Sequence, residues 1–300
     1  MLPRSQLGKT GLRVTRLGYG SMGLRGPRTW GVRVVDETHA ERMLHAVLDA
    51  GINFIDTAPD YGIAEERIGR YLSHRRSEFF LATKCGCTPV QHDDHLEIVH
   101  TWSPEVIAAN VEQSLRRMRT EYIDVLQFHG GTLAELQSSG SYEAARRLQD
   151  RGLVRWIGIS SKLPEILDHL RPDLYDTLQL PYSVLDPSHA DAMACGAALG
   201  MGIIVRGGIA HGGPEAEIQR EHLNRVWERL QLDELRPPDM SRAQFILRYT
   251  LSQPACHTAI VGTCNLQHLQ ENVRAAEAGP LPQELVDEIQ RRWTALRDAC

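Results

Sequence analysis

The segment GINFIDTAPDYG, residues Gly51–Gly62, decides the fold. Its run Asn53–Asp56 is typical of a short buried strand that ends at a carboxylate, and a Pro/Gly turn carrying Tyr61 follows. Two later apolar runs end in the same way, one at Lys84 and the other at His129. Because parallel strands of one barrel present their carboxyl ends on one rim, these side chains are expected to form a single polar cluster.

Strand-like and helix-like segments alternate along the rest of the chain. The predicted strands cover 16–20, 53–56, 79–84, 122–129, 155–160, 177–180, 202–205 and 258–261. The predicted helices cover 37–50, 64–71, 104–118 and 142–150, a segment from Pro164, 188–199, 215–230, 242–251, and segments from Asn265 and Gln283. Alternation of this kind indicates parallel strands joined by right-handed crossovers.

About eight strand–helix units in 300 residues favour a closed (β/α)8 TIM barrel in the α/β class. Alternation alone leaves an open doubly wound sheet as an alternative. The Gly-bounded turn chemistry of Leu7–Val14 predicts a small N-terminal β-hairpin, and the segment from Gln283 predicts an extra C-terminal helix. With no Pro/Gly/Ser-rich linker, residues 1–300 are expected to form one domain.

The composition narrows the classes of function. Hydrophobic residues make up 42% and charged residues 24% of the chain, which is the balance of a folded globular protein. A net charge of -5 provides no basic surface for nucleic acid, and no apolar run is long enough to span a membrane. A cytoplasmic protein with six free cysteines is therefore expected. The oligomeric state is left open.

The expected cluster has the chemistry of a proton-transfer site. A lysine beside a phenol favours phenolate and lowers the pKa of Tyr61, while Asp56 holds Lys84 charged and in place. His129 can orient a substrate carbonyl by a hydrogen bond, which leaves Tyr61 to exchange the proton.

Several stretches make the chain resemble the aldo-keto reductase family over nearly its whole length. They are Leu7–Thr10, Leu17–Met22, Gly51–Gly62, Ala82–Lys84, Tyr122–His129, Gly152–Ser160 and Leu251–Asn272. The resemblance implies that Asp56, Tyr61, Lys84 and His129 are the catalytic tetrad. It also implies an NAD(P)(H)-dependent enzyme that interconverts an alcohol and a small-molecule carbonyl (aldehyde, ketone or sugar) by hydride transfer.

The resemblance also implies residues that contact nicotinamide. Gly20 and Met22 follow the first barrel strand, and their Gly-x-Gly-x-x-Gly run opens no helix, so it is not a Rossmann fingerprint. Ser160, Ser161 and Gln179 align with residues around the carboxamide, with Ser161 replacing an asparagine. Arg206 stands where many members have a stacking tyrosine, and a guanidinium plane can also stack.

The segment Gly262–Asn265 enters a helix whose N-terminus can bind phosphate. Thr263 and Asn265 add polar side chains there. The resemblance implies a basic pair for the 2′-phosphate of NADP at the positions that Gly262 and His268 occupy here, followed by Glu271 and Asn272 reading adenine. Glu271 and Asn272 match the family, whereas Gly262 departs from it and weakens the case for strict NADP use. NADP(H) is favoured, with NAD(H) as the alternative.

Two tryptophans are predicted substrate contacts, Trp30 after the first strand and Trp102 before the third helix. Cys85 and Cys87, with the 92–95 segment, have zinc-ligand chemistry, but their irregular spacing within one loop favours a solvated polar loop and no metal. Two alternatives stay open: a metal-dependent hydrolase barrel, although no His-x-His ends the first strand, and a nicotinamide-binding regulatory subunit with vestigial activity.

Overall fold

The computed structural model describes residues 1–26, 34–93, 96–210 and 221–298. Its strands are β1 (Arg4–Gln6), β2 (Arg13–Thr15), β3 (Leu17–Gly20), β4 (Phe54–Asp56), β5 (Phe80–Cys85), β6 (Cys87–Gln91), β7 (Leu96–His100), β8 (Ile123–His129), β9 (Val154–Ser160), β10 (Thr177–Pro181), β11 (Gly202–Arg206) and β12 (Thr258–Val261). Its α-helices are α1 (Glu37–Asp49), α2 (Ala64–Leu72), α3 (Pro104–Met118), α4 (Leu133–Ser138), α5 (Ser141–Asp150), α6 (Ala190–Ala198), α7 (Glu221–Arg229), α8 (Leu232–Leu235), α9 (Arg242–Ser252), α10 (Leu266–Glu277) and α11 (Gln283–Asp298).

Eight of these strands close into a parallel barrel, in the order β3-β4-β5-β8-β9-β10-β11-β12 and back to β3. Helices follow the strands along the chain and surround the barrel, as expected when parallel strands need crossovers. The predicted (β/α)8 fold, the antiparallel hairpin β1–β2 and the C-terminal helix α11 are confirmed. All strands of the barrel thus present their carboxyl ends on one rim.

The hairpin end of the barrel is filled by apolar side chains. Leu7, Leu12 and Val14 are buried in one cluster with barrel residues that include Phe54 and Val125. Side chains two residues apart along a strand share a face, so the next interior layer toward the rim holds the residues two positions later in each strand. Those residues include Asp56 on β4, Lys84 on β5, Gln127 on β8 and Arg206 on β11. A polar layer therefore lies directly above an apolar one.

Helix ends follow the local sequence signals. Ser103 caps α3 by accepting a 3.3 Å hydrogen bond from the Val106 N–H, and Pro104 occupies the first turn, as the sequence predicts. Asn265 caps α10 in the same way, accepting from Gln267 N–H at 2.8 Å. These caps fix where the chain leaves the rim and turns back along the barrel.

Two local predictions are wrong. The segment from Pro164 forms only a 3-10 turn, Glu165–Leu167, because Pro172 follows closely and the chain must reach β10 within a few residues. The solvated loop expected around Cys85 and Cys87 is instead the antiparallel hairpin β6–β7, and both thiols are buried. Its strands CTPVQ and LEIVH contain β-branched residues that the charged residues between them obscure.

Three further differences concern the helices. The short helices α4 and α8 have no predicted counterpart. The predicted helix over 215–230 is seen as α7 from Glu221, and its earlier residues lie outside the described ranges. Within those ranges, none of the helices combines the length and apolar character that a membrane span requires.

Replacing Gly69 by Ala is expected to destabilise the protein, although alanine favours an exposed helix by about 1 kcal/mol over glycine. Gly69 lies where α2 meets α3, and an added Cβ would stand 2.1 Å from the Arg117 carbonyl oxygen. Overpacking of this kind typically costs about 1–3 kcal/mol. Urea unfolding measures the change, with the exposed α3 substitution Gln113→Ala as control. A Gly69→Ala protein as stable as the parent would contradict the close helix packing.

Candidate active site

A pocket of about 710 Å³ opens at the carboxyl-end rim of the barrel. Its lining includes Met22, Asp60, Tyr61, His100, His129, Ser160, Ser161, Gln179 and Arg206. These side chains come from the ends of several strands and from the turns that follow them. The pocket is therefore built by the barrel closure and not by one local motif.

Asp56 is the centre of the polar layer beneath this pocket. The carboxylate is 1% exposed, and its Oδ2 accepts a 2.7 Å hydrogen bond from Lys84 Nζ. Its Oδ1 accepts from Gln127 Nε2 at 2.9 Å and from Gln179 Nε2 at 2.8 Å. Four barrel strands are thus joined through one side chain.

Lys84 is held as a buried ammonium. Burial opposes its charge, but the negative charge of Asp56 and the nearby Tyr61 phenol raise the pKa of Lys84 above its ordinary value. Its Nζ also donates to the Thr57 carbonyl oxygen at 2.9 Å and lies 5.0 Å from the centre of the Tyr61 ring. A fixed positive charge therefore stands beside the phenol.

Burial raises the pKa of Tyr61 above its ordinary value, because the charge of Lys84 offsets only part of that effect and Asp56 and Asp60 add to it. Lys84 acts in the predicted direction, but the predicted net lowering of the pKa is wrong. The phenol consequently keeps its proton at neutral pH, which is the state that a proton donor needs.

His129 is anchored through one ring nitrogen. Its Nδ1 lies 2.9 Å from Cys87 Sγ and 3.5 Å from Asp60 Oδ1. Burial raises the pKa of the Cys87 thiol, and the Asp60 charge adds to that shift. Burial opposes the ionisation of Asp60, but the nearby His129 and the charge of Lys84 lower its pKa. A thiol and a carboxylate therefore face the imidazole.

The predicted nicotinamide contacts lie on the neighbouring strands. Ser160 Oγ donates to Gln179 Oε1 at 2.8 Å, and the Ser161 N–H donates to the Gln179 carbonyl oxygen at 3.0 Å. Arg206 ends β11 at the pocket, where burial lowers its pKa against the opposing charges of Tyr61 and Asp56. Met22 is 37% exposed at the mouth.

Glycines keep the backbone bare where β3 ends and where the chain leaves β12. A Cβ added to Gly20 would lie 3.7 Å from the Gly262 nitrogen. The two backbone segments therefore meet without side chains between them.

The residues predicted to bind the far end of a cofactor lie together at the start of α10. The Asn265 N–H donates to Thr263 Oγ1 at 3.1 Å, and Asn265 Oδ1 also faces the His268 N–H at 3.4 Å. His268 is exposed on the first turn of the helix. Glu271 accepts from Gln267 Nε2 at 3.0 Å, and Asn272 is buried at 5% exposure.

The two predicted substrate tryptophans have different outcomes. Trp30 lies outside the described residues. Trp102 packs edge-on against Phe128, with ring centres 6.3 Å apart, and its ring fills the space beside Gly86 and Gly131. It is not among the described residues that line the pocket. Trp102 therefore packs behind the pocket and supports the residues that line it.

Sequence reasoning missed several residues of this site. Gln127 is a polar residue inside the apolar strand β8, and this contrast in the sequence could have indicated a buried polar contact. Asp60 lies within the Gly51–Gly62 segment, but was assigned no role from the sequence. Cys87 and His100 become neighbours of His129 only through the β6–β7 register, in which they pair. His92, from the expected loop cluster, instead contacts Glu97 at 2.9 Å.

Lys84→Met is expected to cost about 3–5 kcal/mol of unfolding free energy, because it leaves the Asp56 carboxylate buried without its cation. Combining it with Asp56→Asn should cost about 1–3 kcal/mol less than the sum of the single changes, since the two side chains interact directly. Urea unfolding of the four proteins measures this coupling. Additive losses would show that the pair contributes no coupled stability.

Comparison with known proteins agrees with the geometry. The model of the Aldo/keto reductase family matches residues 16–293. The uncharacterized oxidoreductase YqkF of Bacillus subtilis (strain 168) is 29% identical over 306 residues, covering 96% of this chain and 95% of that protein. L-galactose dehydrogenase of Arabidopsis thaliana is 27% identical, with 95% and 92% covered.

A solved structure shares the fold over nearly its full length. The holo form of aldo-keto reductase AKR11C1 from Bacillus halodurans is similar with a TM-score of 0.84 at 31% identity, covering 97% of this chain and 96% of that one. The family match spans the whole barrel and the polar cluster at its rim. The chain therefore belongs to the aldo-keto reductase family and is an oxidoreductase.

Proposed function

We propose that the protein interconverts a carbonyl and an alcohol with a nicotinamide cofactor, using Tyr61 as the general acid and base. The observation that carries the proposal is the buried Lys84 ammonium, held by Asp56 at 2.7 Å with its Nζ 5.0 Å from the Tyr61 ring. When bound, a reduced nicotinamide supplies the hydride. The protein's own groups orient the carbonyl and supply the proton.

His129 is the orienting group. In the proposed arrangement the Cys87 thiol donates to Nδ1 across their 2.9 Å contact, so that the ring N–H is at Nε2, the nitrogen on the opposite side of the ring. An N–H at Nε2 can donate to a carbonyl oxygen in the pocket. That hydrogen bond polarises the carbonyl and brings its oxygen toward the Tyr61 hydroxyl.

Tyr61 transfers the proton. Its raised pKa keeps the phenol protonated before reaction, while the fixed Lys84 charge stabilises the phenolate that remains after the proton leaves. The same charge lets the phenolate accept a proton when the reaction runs toward the carbonyl. One residue can therefore serve both directions, and Asp56 acts through Lys84 as a positioning residue.

The pocket fits the nicotinamide end of a cofactor. The Ser160–Gln179 pair offers polar atoms suited to a carboxamide, Arg206 offers a flat cationic surface, and the bare backbone at Gly20 leaves room beside them. We retain NADP(H) as the favoured cofactor and NAD(H) as the alternative. The α10 N-terminus and the exposed His268 both favour an additional phosphate.

The rim of the pocket favours a small polar substrate. Thr132, Glu135, Lys162 and Glu165 line its outer part. Such groups can hydrogen-bond hydroxyls beside the reacting carbonyl. Of the proposed classes (aldehyde, ketone or sugar), a polyhydroxy carbonyl compound such as an aldose suits this lining best, in keeping with the sugar named for the Arabidopsis relative.

Tyr61→Phe is expected to lower turnover by about 10²–10⁴-fold, because it removes the proton donor and leaves the ring. Steady-state assays with reduced cofactor and a panel of aldehydes, ketones and aldoses measure the loss. Binding of reduced cofactor, followed by fluorescence, should stay close to that of the parent. Unchanged turnover in the variant would remove Tyr61 from the mechanism.

The parent enzyme should also show opposite pH dependences in its two directions. A raised pKa means that Tyr61 stays protonated through neutral pH and loses its proton only in alkaline solution. Reduction should therefore be constant near neutrality and fall at alkaline pH, while oxidation of the alcohol rises. Rate profiles for both directions test this, and a reduction rate that climbs with pH would contradict it.

Dissociation constants for NADP⁺, NADPH, NAD⁺ and NADH test the cofactor assignment. The phosphorylated forms are expected to bind more tightly, because the α10 N-terminus favours an additional phosphate. His268→Ala should narrow this difference in affinity, whereas the exposed change Gln270→Ala further along α10 should not. Equal or tighter binding of NAD⁺ and NADH would reverse the assignment.

A further inference from the structure

Cys87, His100 and His129 form a compact cluster beside the proposed reaction centre. Their ligand atoms, one thiol sulfur and two imidazole nitrogens, all lie within 4.8 Å of one another. Cys87 and His100 face each other as register partners in the β6–β7 hairpin, so one hairpin presents two of the three groups to His129. The hairpin is thus the element that creates the cluster.

The geometry of the cluster suits a tetrahedral ion. In a zinc site the metal lies about 2.3 Å from sulfur and about 2.0–2.1 Å from nitrogen, which separates neighbouring ligand atoms by about 3.5 Å. Cys87 Sγ and His129 Nδ1 are 2.9 Å apart, and the His100 and His129 rings are 5.6 Å apart and nearly perpendicular. Small side-chain rotations therefore bring the three atoms to ligand distances.

The Asp60 carboxylate is a second, independent indication that this place suits a cation. Its side chain is 5% exposed, and its buried Oδ1 has no hydrogen-bond partner among the described residues. That oxygen lies 3.5 Å from His129 Nδ1. Buried carboxylate oxygens are normally hydrogen-bonded or bound to a cation.

We propose that Cys87, His100 and His129 bind a zinc ion, with the Asp60 carboxylate close by at His129, and that this ion inhibits the enzyme. Zinc replaces the Cys87 thiol proton, which is released to solvent, and forms an S–Zn bond with no change of oxidation state. The thiolate and the Asp60 carboxylate then balance the two positive charges. The inhibitory part rests on the proposed function: the side-chain rotation that brings His129 Nδ1 to ligand distance also moves Nε2 away from the position in which it would bind the carbonyl.

The ion can reach the site through the pocket. Asp60, His100 and His129 all line it, and His100 is exposed. Because carbonyl binding requires the unrotated His129 ring, zinc and the carbonyl substrate would compete for that residue. Of the 85–95 segment considered from sequence, only Cys87 belongs to the proposed ligand set, and His92 lies on the surface beside Glu97.

Direct binding is tested on the full chain after chelator treatment, without any substrate. Zinc chloride should bind with one ion per chain, and cobalt chloride should give a thiolate-to-cobalt charge-transfer band with tetrahedral visible absorption. His100→Gln and Cys87→Ser should each weaken zinc binding by at least about tenfold, and Cys87→Ser should abolish the charge-transfer band. His92→Gln is the matched control and should bind like the parent.

Thermal unfolding without metal verifies that each variant is folded. If Cys87→Ser fails to fold, His100→Gln still tests the site, because His100 is exposed and its replacement should not disturb the fold. Absence of stoichiometric zinc, a cobalt spectrum without thiolate character, or full affinity in His100→Gln would overturn the site. These readouts do not depend on turnover, so a protein that lacks carbonyl reductase activity can still bind zinc as proposed.

Inhibition is tested separately by adding zinc to the enzyme during carbonyl reduction. Turnover of the parent should fall, recover with a chelator, and be protected by excess carbonyl substrate. His100→Gln, compared with its own zinc-free rate, should need at least about tenfold more zinc for the same loss. Stoichiometric binding without any loss of turnover would overturn the inhibitory role.

Discussion

The ion pair between Asp56 and Lys84 is the interaction on which the site depends. Two charges are buried at the centre of a barrel, and their 2.7 Å contact offsets part of the cost of removing them from water. Gln127 and Gln179 complete the bonds of the carboxylate, so β4, β5, β8 and β10 are tied together at one level. Structural order and the positive charge beside Tyr61 thus come from the same set of contacts.

A second set of contacts, around His129, comes from outside the regular barrel. The β6–β7 hairpin between β5 and α3 brings Cys87 and His100 to the imidazole, while the turn after β4 brings Asp60. The barrel strand β8 positions the His129 backbone, and the hairpin supplies the Cys87 contact at its Nδ1. A change in this hairpin would alter the chemistry of the imidazole without disturbing the Asp56–Lys84 pair.

The barrel and the position of Asp56, Lys84 and His129 at its rim could be predicted from the sequence, because both depend on local periodicity and on strand ends. Sequence reasoning placed Ser160 and Gln179 on neighbouring strands for the same reason. It missed Gln127, Cys87 and His100, whose neighbours are set by strand register and not by position along the chain. It also misjudged the pKa of Tyr61, because burial depends on the closed fold, whereas the nearby Lys84 could be anticipated from the motif.

The hairpin β1–β2 has an electrostatic consequence for the other end of the barrel. Its side chains Leu7, Leu12 and Val14 pack with barrel residues into an apolar cluster below Asp56 and Lys84, and apolar side chains neither screen charges nor reorient around them. The pocket with its polar lining lies on the opposite side, toward the rim. The electric field of the buried Lys84 ammonium is therefore screened least on the hairpin side and acts toward the rim, where the carbonyl would bind.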